Sequence, residues 1–127
     1  MSAAKTLAET APLTAGRFEI AATGPRELAW RGELAARDPV AEIGPHIRSI
    51  HEAAAGGGDV TVDVTGLTFV NSSGLRLFLD WAAWIGAEPE GRRYVVTFRT
   101  ARKVTWQAAA FPAIAMMGGA AVRVVPA

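Results

Sequence analysis

Apolar and polar positions alternate with two different periods along this chain, and the changes from one period to the other mark out its elements. Arg17 to Ala22 and Glu27 to Glu33 each read as short extended segments. Thr23-Gly24-Pro25 between them suits a turn, so the pair predicts a hairpin. Val40, Ile43, Ile47, Ile50 and Ala54 then recur at helical spacing behind Asp38-Pro39, an N-cap followed by proline at the first helical position. Pro45 interrupts that pattern by removing a backbone donor, which leaves two options, a kink or a helix that starts afresh at Gly44-Pro45. Gly56-Gly57-Gly58 closes the helix in either case.

Asp59 to Val64 (DVTVDV) has the period of a strand, and Leu67 to Val70 is a second short apolar stretch. Asn71-Ser72-Ser73-Gly74 reads as a helix start, with the helix running through Leu75 to Ile85 until Gly86. A polar loop, Glu88 to Arg93, precedes a buried strand over Tyr94 to Phe98 (YVVTF). Thr100 is read as the cap of a third helix reaching about Met117, in which Pro112 predicts a bend or break. Val122 to Val125 supplies the final strand. Residues 1–16 show neither period and are expected to be a loosely ordered tail before one domain over residues 17–127. Two strands followed by alternating helices and strands predict an α/β domain. Its sheet is mixed and mostly parallel, with about five strands opened by an antiparallel hairpin and about three helices packed on it.

Composition narrows the function. Thirteen basic residues against twelve acidic ones leave a formal charge of +1 with no clustered basic stripe, which argues against a nucleic-acid partner. The absence of cysteine rules out disulfide and thiolate chemistry and suits a reducing cytosol, so a cytoplasmic location is expected. No apolar run approaches the roughly 20 residues of a membrane span, and the opening MSAAKTLAETAPLTAG has no continuous apolar core for a signal peptide. His46 and His51 stand five apart, not the four that puts two ligands on one helix face, so they are read as surface residues and no metal site is expected. Gly56-Gly57-Gly58 lacks the lysine and hydroxyl residue of a phosphate-binding loop, and no cofactor is expected. Arg99, Arg102 and Lys103 form a basic cluster that reads as a solvated face or, alternatively, as a contact for an acidic partner, whereas Trp106 and Phe111 are assigned to the core.

The segment DVTVDVTGLTFVNSSGLRLFLDW, Asp59 to Trp81, resembles the centre of the STAS family, which includes bacterial anti-sigma-factor antagonists and sulfate-transporter tails. A buried strand ends in an aspartate, a short loop follows, and a D-S-S-G-L-type helix start comes next. Arg31-Gly32-Glu33-Leu34 resembles the family's G-E-L-D turn, and the resemblance extends over roughly residues 17–126. It implies a STAS-type single domain that docks to a protein partner and is not an enzyme. In the antagonist branch the first serine of the motif is phosphorylated by a kinase-like anti-sigma factor and released by a PPM-type phosphatase. By position that serine is Ser72, with Ser73 as the alternative. Asn71 stands where the family usually has aspartate, and Ala35 stands where the turn is usually followed by aspartate. Both acidic residues are associated with kinase recognition in the family.

Two readings of the motif compete on its own chemistry. A phosphate on Ser72 would sit among the free N–H groups of a helix N-terminus, where negative charge is favoured, and would alter the docking surface by about −1.5 to −2 charges. Alternatively Ser72 and Ser73 only cap the helix, at about 1 kcal/mol. Thr65 and Thr68 read as turn-stabilising hydroxyls or as further acceptors. Ser72 is not in a G-x-S-x-G elbow, and no histidine is evident as its base. On the helix that follows, Leu75, Phe78, Leu79, Ala82 and Ile85 gather on one face, and Leu77, Trp81 and Trp84 on nearly the opposite one. Asn71, Ser72, Ser73, Gly74 and that second stripe are expected to form a partner-binding or homodimer surface, unless loops or the N-terminal segment cover the stripe.

Overall fold

The computed structural model describes residues 5–127. Its seven strands form one sheet: β1 (Leu13–Ala15), β2 (Phe18–Gly24), β3 (Glu27–Leu34), β4 (Val60–Asp63), β5 (Leu67–Val70), β6 (Val96–Thr100) and β7 (Val122–Pro126). The sheet runs β1-β2-β3-β4-β6-β7, and β5 also pairs with β3. β1, β2 and β3 are antiparallel, so the hairpin is present, and every other pairing is parallel. The helices are α1 (Leu7–Thr10), α2 (Pro39–Glu42), α3 (Gly44–Ala54), α4 (Ser72–Ala87) and α5 (Thr105–Gly118). The α/β class and mixed sheet are as expected, with more strands and helices than the pattern shows.

Alternation along the strands explains the layering. Phe18 and Ile20, Leu28 and Trp30, Val60 and Val62, and Val96 and Phe98 are all buried on one side. Their neighbours Glu19, Arg31, Asp63 and Arg99 lie on the other, where Arg31 reaches Glu19 at 3.4 Å. The helices therefore form a single layer on one face and leave the opposite face to solvent. α4 occupies the middle of that layer, between α2 and α3 on one flank and α5 on the other.

Three expectations are corrected. Residues 1–4 of the expected tail lie outside the described residues, but the rest of it is built into the domain. Thr6 and Glu9 form a capping box at α1, Leu7 and Ala11 are buried, and β1 pairs with β2. These elements are too short to show a period, and they are held by packing on α3 and by β2. Thr100 does not cap the third helix, because it ends β6 with its side chain buried. α5 begins five residues later, without a side-chain cap. Pro112 does not break α5, which continues through it to Gly118 with Pro112 and Ala108 on the exposed side, where water can meet the Ala108 carbonyl that the proline leaves without a donor. At Pro45 the chain takes the second option: α2 stops, Ile43 caps, and α3 starts at Gly44-Pro45.

Candidate functional site

The N-terminus of α4 is assembled from three parts of the chain. β4 and β5 lie along the same edge of β3, β4 beside Glu27–Ala29 and β5 beside Gly32–Leu34. Between them the backbone leaves the sheet in a turn where Thr65 gives both its N–H (2.8 Å) and its hydroxyl (2.6 Å) to Asp63 Oδ1. Burial raises the Asp63 carboxyl, but these bonds, helped by Arg99 and Arg31, hold it below the usual carboxylate range. Thr68 donates its hydroxyl to the Gly32 carbonyl at 3.1 Å, so both threonines have turn roles in the structure. Gly32 has φ +89°, and a Cβ there would meet the Arg17 carbonyl oxygen, so the register shift of β3 at this point requires glycine.

Gln107 was not singled out by the sequence, yet it fastens this turn from behind. It is fully buried. Its amide donates to the carbonyls of Val64 (2.7 Å) and Leu67 (2.8 Å), and its oxygen accepts from Ala101 N–H at 2.7 Å. One side chain thus satisfies three backbone groups where the sheet ladder is broken. Trp106 adds a bond from Nε1 to the Thr68 carbonyl at 3.0 Å, and Phe111 is buried in the core.

Asn71 is the cap of α4. Its Oδ1 accepts from Gly74 N–H at 2.7 Å, and its Nδ2 donates to the Ala36 carbonyl at 2.9 Å. Asparagine can do both, whereas an aspartate has no proton to give Ala36. Asn71, one departure from the family pattern, is thereby tied to the residue that follows Ala35, the other departure. The capping reading of the serines is corrected, because the acceptor is Asn71. Ser72 and Ser73 occupy the first helical turn with exposed side chains. Gly74 is buried. A Cβ there would come within 2.8 Å of Val70 and 3.1 Å of Leu34, so packing explains its place in the motif. Beside Ala36 lies an open cleft of about 380 Å³ bounded by Arg17, Glu33 and Glu42, in which Arg17 pairs with Glu33 at 3.2 Å.

The second stripe of α4 is not a surface. Leu77 and Trp81 are completely buried, and Trp84 is half-buried with the Arg48 guanidinium 5.3 Å above its ring. At about 100° per residue the buried side chains Leu77, Trp81, Gly74, Ile85, Phe78 and Ala82 fill one continuous arc, centred between the two expected faces. A helix flanked on both sides buries a wider arc than one lying alone on a sheet. Trp81 stacks on Trp30 (6.0 Å) and meets Phe98 edge-on (6.2 Å).

Below Trp81 a second buried polar group was missed. His51 is fully buried, not on the surface, and His46 is half-buried with Nε2 2.9 Å from the Ala11 carbonyl. Trp81 Nε1 donates to Tyr94 Oη at 2.7 Å, which leaves the phenol to donate to His51 Nδ1 at 2.8 Å and His51 Nε2 to donate to Glu88 at 3.3 Å. Burial lowers the His51 pKa more than Glu88 raises it, and burial pushes the Tyr94 phenol far up, so both stay neutral. The signal was available: His51 shares the helical spacing of Ile47, Ile50 and Ala54.

Among the described residues no helix is long and apolar enough to cross a membrane. No family model and no curated protein matches the chain. Among solved structures, its fold is similar to that of SiaC in the crystal structure of the diguanylate cyclase SiaD in complex with its activator SiaC from Pseudomonas aeruginosa. The TM-score is 0.64 at 15% identity, over 87% of this chain and 92% of that one. At that identity the likeness is one of fold, and the chain carries a STAS-like α/β fold.

Proposed function

We propose that this chain is a regulatory docking domain of the anti-sigma-factor-antagonist type, with the first turn of α4 as the centre of its contact surface and Ser72 as its phosphorylation site. The observation that carries this reading is the division of labour at the motif. Asn71 supplies the cap, so the Ser72 hydroxyl stands exposed at the positive end of a 16-residue helix with no structural duty of its own. A phosphate there is accepted by the helix terminus without rearranging the fold, while the face a partner meets becomes strongly anionic. The cleft beside Ala36 gives that face relief for a partner side chain. The expected partners are a serine-kinase-like anti-sigma factor and a PPM-type phosphatase, in the cytoplasm, and the domain itself does no catalysis. Both histidines support the last point, since His46 bonds the Ala11 carbonyl through Nε2 and His51 is engaged with Tyr94 and Glu88, and neither bonds Ser72 among the described residues.

A second reading has one observation in its favour. SiaC, with a similar fold, is named as the activator of the enzyme it is bound to, so the partner of this chain could be an enzyme outside transcription, with or without phosphorylation. Intact mass of the protein purified from its native host, with and without phosphatase, tests the switch. One phosphate mapped to Ser72, together with loss of the co-purifying partner in Ser72→Glu but not in Ser72→Ala, is the expected result. No phosphate in any growth phase, with the partner still bound, reduces the chain to a constitutive interaction module.

A further inference from the structure

α5 breaks the rule that the other long helices keep. From Val104 to Val122 the chain contains no Asp, Glu, Lys or Arg, yet α5 buries only Gln107, Phe111 and Ile114. The opposite side is a regular stripe at i, i+1, i+4, i+5, i+8 and i+9: Ala108, Ala109, Pro112, Ala113, Met116 and Met117, all exposed. Met116 is 83% and Met117 68% exposed, the largest values among the big apolar side chains. A helix that is apolar all round is ordinarily buried all round, and a contiguous apolar patch on a small soluble domain marks an interaction site. α5 lies at the end of the helical layer, against α4 on one side and over the β7 edge, and among the described residues no helix or strand covers its outer face.

We infer that this face pairs with the same face of a second copy of the chain, antiparallel, about a two-fold axis near Pro112 and Ala113. The stripe is graded, small at its N-terminal end and large at its C-terminal end. Antiparallel pairing sets Met116 and Met117 of each copy over Ala108 and Ala109 of the other, large into small, whereas parallel pairing would oppose methionine to methionine. The isologous geometry needs no second kind of surface, and with no charge on the stripe two copies meet no like-charge repulsion. Size fixes the strength. At 14 residues the face is about 21 Å long and one helix wide, well short of the about 800 Å² per partner of a standard interface. The dimer is therefore reversible and forms at high protein concentration, and its stripe includes none of the residues at the N-terminus of α4.

Sedimentation of the purified chain from about 10 μM to about 1 mM tests this. The weight-average mass is expected to climb toward that of two chains, and Met116→Glu with Met117→Glu is expected to hold it at one chain while far-UV circular dichroism is unchanged. The register has its own test, since the chain has no cysteine of its own. Ala113→Cys, beside the axis, is expected to oxidise to a disulfide-linked dimer. Met117→Cys alone is not, because its two copies lie about 14 Å apart along the helices. A chain that stays monomeric at every concentration overturns the proposal and leaves the stripe to a different protein. Cross-linking of Met117→Cys as fast as Ala113→Cys overturns the antiparallel register.

Discussion

α4 and α5 lie side by side on the same sheet, and both are rich in apolar residues, yet they use them in opposite ways. In α4 two tryptophans that look like a second face by periodicity are taken into the protein, Trp81 completely and Trp84 in part. In α5 the apolar side chains run round the whole circumference and half of them face solvent. Position in the layer makes the difference: α4 has a helix on each flank to cover its sides, whereas α5, among the described residues, packs on α4, the sheet and the short turn at Gly119–Ala121. An apolar stripe in a sequence therefore says that something covers it, and only the neighbours say whether that cover is the same chain.

The contrast is most easily broken at Trp81 and Met116. Trp81→Ala removes a fully buried ring that stacks on Trp30 and also leaves Tyr94 without its donor. It is expected to cost about 3–5 kcal/mol in urea unfolding. Met116→Ala, 83% exposed, is expected to stay within about 0.5 kcal/mol of wild type when unfolding is measured at dilute concentration. Comparable losses at the two positions would mean that α5 is covered within the monomer and that the comparison is wrong.

A smaller effect separates two neighbouring residues at the N-terminus of α4. Asn71→Ala loses both the cap and the tie to Ala36 and is expected to cost about 1–2 kcal/mol. Asn71→Asp restores the family's usual residue, keeps the cap and loses only the tie, so its cost is expected to be less than half of that. Ser72→Ala is expected to change stability by no more than about 0.5 kcal/mol. A Ser72→Ala loss as large as that of Asn71→Ala would return the serine to a structural role and remove the observation on which its regulatory one rests.

These residues also show what the sequence could carry. The hairpin, the strand of DVTVDV and the strand-to-helix junction at Asn71 were legible because local spacing and turn residues determine them, whereas at Pro45 the spacing marked an interruption and left a kink and a fresh start both open. Leu7, Ala11 and Leu13 were not, because three apolar side chains in elements of three or four residues acquire meaning only when α3 and β2 supply the other half of the contact. Even so, Thr6 and Glu9 carry the spacing of a capping box. Gln107 was invisible for a different reason. Its three bonds go to backbone groups of Val64, Leu67 and Ala101, which no periodicity encodes. At the candidate site the exposed half, Ser72 and Ser73, came from the motif. The division of roles between Asn71 as cap and Gly74 as packing residue needed coordinates.

The gentlest probe of the α4 packing is pH, read through His51. The ring is neutral and buried, accepts from Tyr94 and donates to Glu88, and burial depresses its pKa while Glu88 partly offsets that. A depressed histidine pKa means that between the unfolded value, about 6.5, and the lower folded one the unfolded chain binds more protons than the folded chain. Stability then falls as pH falls through that window and is flat above it. Protonation on Nδ1 also costs a bond, because Tyr94 Oη would accept from both Trp81 and His51 and its own proton would have no partner. The other charges near the ring are Arg48, which opposes protonation, and Glu52, which favours it. Asp63, Glu9 and Glu88 lose their contributions only at lower pH, as they protonate below the ordinary carboxylate range. Urea midpoints are therefore expected to hold steady above about pH 7 and to decline from about pH 6.5 downward, with His51→Gln flattening the decline until the carboxylates titrate. A wild-type curve that stays level down to about pH 5 would show that the ring takes up its proton without cost. In that case the α3–α4 contact is looser than the fully buried arc of α4 requires.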